Sequence, residues 1–156
     1  MTDIELLKDI KTDLKVFLQK DGIKMLLGDT FSDINVYEQD LPFKQDEDYE
    51  GVRNYIVIMV GDQDVEDDAW KTEIHFSINL EDDEQWQNSA SINVLYLMNE
   101  IYAHFIKTGI VGKHCRMEQE AHKRLNHEMQ WPYAQGDLIT YWKLPLPNEE
   151  GLEDLI

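Results

Sequence analysis

Between residues 70 and 80 the chain alternates strictly. Trp70, Thr72, Ile74, Phe76, Ile78 and Leu80 are interleaved with Lys71, Glu73, His75, Ser77 and Asn79. A two-residue period fits an extended strand, whose successive side chains leave opposite faces. The segment predicts a strand with one face in a core and the other wet, and the rest of the chain must supply the cover for that core face.

The neighbouring segments supply it. Residues 52–60 predict a second strand, apolar on both faces from Tyr55 to Val60 and therefore central in its sheet. Gly61 to Ala69 is expected to join the two strands as an acidic hairpin loop. Ile34 to Glu38 predicts a short strand, followed by a polar loop with Pro42. Residues 2–20 predict an amphipathic helix on the spacing of Leu7, Ile10, Leu14, Phe17 and Leu18, with a Thr2/Glu5 capping box and Gly22 just past its end. Ile23 to Leu27, closed by Gly28, reads as a helical turn or an irregular connection. A second helix is expected over 91–108. Val94, Leu95, Met98, Ile101, Tyr102 and Phe105 form a wide apolar face extended by Leu97 and Ile106, and Lys107 and Gly109 suit its end. Residues 115–125 and 137–145 predict two closing strands, linked through Trp131-Pro132-Tyr133 and Gly136. The fold class is α+β, an antiparallel sheet of about five strands with two main helices on one side, in the order α-β-β-β-α-β-β. One domain is expected over 1–147, with an acidic, mobile tail over 148–156.

Composition narrows the function. The 156 residues include 32 Asp plus Glu against 14 Lys plus Arg, a formal charge of −18. That sign excludes a general electrostatic grip on nucleic acid or on an anionic membrane surface. An apolar fraction of 42% and sixteen aromatics argue against disorder. No apolar run approaches the roughly 20 residues of a spanning helix. The acidic opening Met1-Thr2-Asp3-Ile4-Glu5 is unlike a secretory signal, and the single cysteine, Cys115, has no internal disulfide partner, so folding in a reducing cytoplasm is expected.

Signals for chemistry are sparse. His114, Cys115, His122 and His127 fall close together, but without the spacing of a zinc knuckle or a helical protease site. Exposed sheet histidines beside a buried, inert cysteine are the preferred reading, so no metal or other cofactor is expected. None of Ser32, Ser77, Ser89 and Ser91 sits in a nucleophile elbow, and the eight glycines form no phosphate cradle. No catalytic residue is assigned. The Asp62–Asp68 run lacks the glycine and distal glutamate of a calcium loop. Trp70 and Trp142 are expected in the core, whereas Trp86 and Trp131 lie in loops and are candidates for partner contact.

The charge is unevenly spread. Residues 46–84 hold fourteen acidic and two basic residues, net −12, while 107–143 carries six basic and four acidic, net +2. One-sided charge suits head-to-tail contacts between copies, and interleaving of the two halves in the fold would erase it.

The opening helix Ile4–Leu18, the hairpin Tyr55–Leu80, the helix Val94–Ile106 and the closing Trp131-Pro132-Tyr133…Gly136-Asp137-Leu138-Ile139…Leu144-Pro145 together give the chain, over residues 2–147, a resemblance to a known family. It resembles the tail terminator (tail-completion, or neck) proteins of long-tailed phages and prophages. The resemblance implies a structural, non-enzymatic role: a hexameric ring on the last ring of the tail-tube protein that stops tube growth and presents a surface to the head-side connector protein. It implies assembly in the host bacterial cytoplasm and residence in the virion tail or neck. DNA passes through such a ring without specific binding, and an acidic lumen lets it slide. Asp62, Asp64, Glu66, Asp67 and Asp68, or Glu81, Asp82, Asp83 and Glu84, are the candidate lumen-facing residues. Lys113, Arg116, Lys123 and Arg124, with Trp86 and Trp131, are the candidate contacts to other protomers or partners. The alternatives are a neighbouring head-closure role, or a small cytoplasmic acidic binding or regulatory module such as a nucleic-acid mimic.

Overall fold

The alternating segment becomes the middle strand of a five-stranded sheet. The computed structural model describes residues 2–20, 34–40, 54–82, 88–108, 115–128 and 131–146. Its elements are α1 (Asp3–Leu18), β1 (Asn35–Glu38), β2 (Tyr55–Glu66), β3 (Ala69–Glu81), α2 (Ala90–Thr108), β4 (Arg116–Leu125) and β5 (Tyr133–Pro145), the expected order. The sheet order is β1-β2-β3-β5-β4. β5 lies beside β3 along its whole length, from Ala69↔Pro145 to Glu81↔Tyr133, and leaves β4 at the edge.

Three pairings are antiparallel, but β1 runs parallel to β2, Asn35↔Tyr55 through Glu38↔Ile58, so the sheet is mixed. A four-residue strand carries no signal of its direction. That is set by the crossover a parallel pair requires, here within residues 39–54.

One face of the sheet and both helices share the core. Ile56 and Ile58 of β2, the Ile74-to-Leu80 row of β3, and Leu138 and Trp142 of β5 are fully buried against Leu6, Ile10 and Leu14 of α1 and Val94, Leu97, Met98, Ile101 and Phe105 of α2. The helices meet each other on that face. The His104 ring stacks on Phe17 at 4.2 Å between centroids, and its Nε2 lies 3.2 Å from Asp13 Oδ1. Phe105 lies between Phe76 and Trp142, with centroids 5.7 and 5.5 Å away. Two buried polar side chains here are paired: Trp142 Nε1 donates to Thr140 Oγ1, which donates to the Ile74 carbonyl, both at 2.9 Å. Thr2 Oγ1 accepts from the Glu5 amide at the start of α1, one half of the expected capping box.

Four expectations need correction. Leu95 is exposed and Leu97 buried, so the apolar stripe of α2 is rotated from the one predicted. The supposed wet face of β3 is not uniformly wet, since Ser77 and Asn79 are buried there, as is Val57 opposite Ser77. The expected 61–69 loop is mostly strand. β2 continues to Glu66 past a register shift between Val60 and Gln63, and only Asp67 and Asp68 turn. Both have positive φ, 52° and 61°, as a two-residue turn matching strand twist requires. Asp tolerates that conformation without the Asn-Gly pair that would have announced it. Finally, β5 begins at Tyr133 rather than at 137. The expectations for Gly22 and residues 23–28, the Pro42 loop, the stop at Gly109 and the 148–156 tail lie outside the described residues.

Gly136 of β5 lies directly under α2. A Cβ there would sit 2.7 Å from Val94 Cγ1 and 3.2 Å from Met98 Cε. Gly136→Ala should therefore push α2 from the sheet and cost about 1–3 kcal/mol, read as a lowered midpoint in urea unfolding.

Candidate functional site

The two acidic candidate sets are at opposite ends of the same strand. Asp62, Asp64, Glu66, Asp67 and Asp68 are all exposed at the β2–β3 hairpin end. Glu81 and Asp82 close the other end of β3, twelve residues and about 40 Å away. Asp83 and Glu84 lie outside the described residues. Among the described residues no single surface unites both sets.

Charges of both signs interleave from the hairpin end onward. Lys71 Nζ reaches Glu120 Oε2 at 2.9 Å, Glu66 Oε2 at 3.8 Å and Glu118 Oε2 at 4.0 Å, and lies 4.9 Å from the centre of the Tyr141 ring. The Glu120 hydrogen bond holds its ammonium above the usual lysine range. Lys143 meets Glu118 at 3.7 Å, and Arg124 meets Asp137 at 3.7 Å. β3 from the acidic half and β5 from the basic half are neighbours, so the sequence-level asymmetry survives only at the hairpin end. Arg116 is exposed near that end of β4, whereas Lys123 and Arg124 are exposed towards its other end. Lys123 Nζ donates to Asn99 Oδ1 on α2. Lys113 and Trp86 lie outside the described residues.

Asp82 differs from the hairpin acids because both its oxygens accept hydrogen bonds. Oδ1 accepts from the Ala90 amide at the start of α2, and Oδ2 accepts from Trp131 Nε1, both at 2.9 Å. Its own amide donates to the Pro132 carbonyl at 2.7 Å. A carboxylate at a helix N-terminus is favourably placed, and this one also fixes the loop that carries Trp131. The indole is nevertheless 80% exposed. Sequence reasoning grouped Asp82 with the free surface acids, because a pairing with residue 131 leaves no local pattern.

The histidine and cysteine candidates separate. Cys115 is buried in the core, donates from Sγ to the Lys143 carbonyl at 3.2 Å, and burial pushes its thiol up to about 12. His122 and His127 are exposed, and His114 lies outside the described residues. Among the described residues no group of three metal-capable side chains converges. The contacts of the other two histidines were not foreseen. His104 packs between the helices, and His75 Nε2 lies 3.0 Å from Glu73 Oε2. Glu73 also accepts from the Asp62 amide at 3.2 Å, and its carboxyl is held below the usual range, chiefly by the His75 hydrogen bond. Ser77, on the same face as His75, accepts from Gln135 Nε2.

A small cleft opens on the helix side between α2 and the edge strand β4. It has about 410 Å³ and is lined by Asn99, Tyr102, Gln119, Ala121, Lys123 and Leu138. No described helix is long and apolar enough to cross a membrane. No protein-family model matches the chain, and no curated protein matches it.

Three outcomes follow from these contacts. Cys115 in the folded protein should resist thiol reagents at pH 8 and label fully in urea, because the thiolate is the reactive form. Glu73, with its carboxyl depressed on folding, contributes stability that is present above the ordinary carboxylate range and lost as pH falls through its folded value. Glu73→Gln should flatten the acid limb of a stability-against-pH curve. Asp82→Ala should cost about 1–3 kcal/mol, while Asp82→Asn, which can still accept from Ala90 but not also from Trp131, should fall between it and the wild type in thermal unfolding.

Proposed function

We propose that this chain is a phage or prophage tail assembly protein that forms a ring, caps the tail tube and joins it to the head-side connector. The observation that carries this reading is the acidic hairpin end, where Lys71 offsets Glu66 and Asp62, Asp64, Asp67 and Asp68 have no basic side-chain partner among the described residues. Five exposed carboxylates sit on one corner of a sheet whose remaining charges are largely paired. Repeated around a ring, that corner gives a channel wall that repels the DNA backbone and lets it slide. The element order, with both helices on one face, supports the reading because it is the order of the tail terminator resemblance.

The lumen role goes to Asp62, Asp64, Glu66, Asp67 and Asp68. Asp82 is committed to α2 and Trp131, so the far end of β3 has less charge to offer. A nucleic-acid mimic is less well served, because it needs carboxylates in a continuous row, and here Lys71, Lys143 and Arg124 interrupt the two acidic ends. Work in the host cytoplasm during assembly, and in the tail or neck of the virion afterwards, belongs to the same proposal.

Mixing the protein with its cognate tail-tube protein tests it. Rings at tube ends and tubes of uniform length are expected, and tubes of uncontrolled length overturn the reading. Binding to the connector without tube capping moves the role to head closure. In the triple variant Glu66→Lys, Asp67→Asn, Asp68→Asn, which keeps residues that accept positive φ in the turn, folding should hold, since only one weak surface ion pair is lost. DNA ejection or assembly should fail, and normal ejection removes the lumen assignment.

A further inference from the structure

We propose that the Glu73–His75 pair is a pH-sensitive latch on the outer arm of β2, tight while His75 carries a proton on both ring nitrogens and looser once it is neutral. The latch belongs to the single chain and does not require a ring.

The outer arm is the least tied part of β2. β1 ends at Glu38↔Ile58, so among the described residues β2 beyond Val60 has a neighbouring strand only on its β3 side. β3, by contrast, is held by β5 along its whole length. At the base of the arm the ladder is interrupted, because the register shift between Val60 and Gln63 leaves Gly61 and Asp62 without Cα partners. A bulge of this kind bends its strand, and its amides need other acceptors.

Glu73 supplies one. Its Oε2 accepts from the Asp62 amide at 3.2 Å and lies 3.0 Å from His75 Nε2, so one oxygen joins the bulge of β2 to two residues of β3. Gly61 makes the space for it. A Cβ there would lie 2.5 Å from Glu73 Oε2 and 2.8 Å from His75 Nε2. The arm has a second tie on the helix side of the sheet, where Gln63 Nε2 donates to Asp3 Oδ2 at 3.0 Å, and that bond involves neither Glu73 nor His75.

The response to pH follows from what each group can donate. A carboxylate only accepts, so the contact needs a proton on His75 Nε2. A neutral imidazole carries one proton, which either nitrogen can hold. The imidazolium carries both and makes the contact a charge-assisted bond. Histidine is the side chain that ordinarily makes this change between about pH 5 and 8. Glu73 stays ionised over that interval, since the His75 bond, helped by the Asp62 amide and the Tyr141 hydroxyl, holds its carboxyl below the usual range. The latch therefore tightens as pH falls through the histidine range and is lost only when Glu73 itself takes a proton.

The surrounding groups leave the pair to itself. Lys71, on the same face of β3, bonds Glu120 Oε2 at 2.9 Å, and Lys143 meets Glu118. Tyr141 faces Glu73 across the ladder, Met59 and Ile139 flank His75, and His122 lies beyond Ile139. Asp62 and Asp64 are on the arm itself. Among the described residues, the carboxylate paired with His75 is that of Glu73.

Amide hydrogen exchange followed by NMR on the full chain tests the latch, with rates converted to protection factors to remove the intrinsic effect of pH. Protection at Asp62, Asp64 and Glu66 should be about two- to fivefold higher at pH 6 than at pH 8, with a smaller change at Phe76 and Leu138 in the middle of the sheet. Arm protection that ignores pH, or that changes no more than the middle of the sheet, overturns the proposal. His75→Gln, which can donate to Glu73 but does not titrate, should keep the arm protected and remove its pH dependence. Gly61→Ala alters neither titrating group, yet should push both side chains aside and give the pH 8 behaviour at both values. Protection at Phe76 and Leu138 in the same spectra reports that each variant is folded. An arm whose pH dependence survives in either variant leaves no role for the latch.

Discussion

The structure depends on a single apolar row, Ile74, Phe76, Ile78 and Leu80, in the middle of the sheet. β2 and β5 extend that row sideways, and α1 and α2 lie across it. Phe105 is the point where the layers interlock, because it touches Phe76 below, Trp142 beside it and the His104 ring in its own helix. Aromatic rings in edge and offset contact add to the area they bury, and they hold the helices at a set depth over the sheet. Gly136 shows how close that approach is, since a single methyl group there has no room.

Among the described residues both helices lie on one face of the sheet. The opposite face is not a bare surface. It carries the Glu73–His75 pair and the lysine–glutamate cluster around Lys71, which joins β3 to β4 across β5. Exposed pairs of this kind contribute little to stability individually. Their consequence is to offset charge beside the hairpin, so that among the described residues the carboxylates left without a basic partner there are Asp62, Asp64, Asp67 and Asp68.

Asp82 does the corresponding work at the far end. One carboxylate accepts from a helix amide and an indole, and so couples the end of β3, the start of α2 and the loop before β5. An exposed tryptophan is adhesive wherever it is mobile. Held in this way it presents one face in one direction.

The strand at 70–80 and the helix over 2–20 were legible in the sequence because their periods are local: each side chain's face follows from its position along the element. The α+β class and the element order followed from those periods. The alternation of hydrophobicity also placed Trp142 in the core, and the opposite strand faces of His114 and Cys115 marked the cysteine as an inert thiol. The direction of β1, the turn at Asp67–Asp68, the rotation of α2 that hides Leu97 and exposes Leu95, and the role of Asp82 were decided only by the tertiary structure. Each depends on a partner far away in the chain, such as Asp82 with Trp131 or Lys71 with Glu120, and no local pattern records such a pairing. Charge shows the division most plainly. The sequence determined how much there is and its sign, whereas the fold decided where it remains unpaired, because Coulomb energies depend on distance in space and not on separation along the chain.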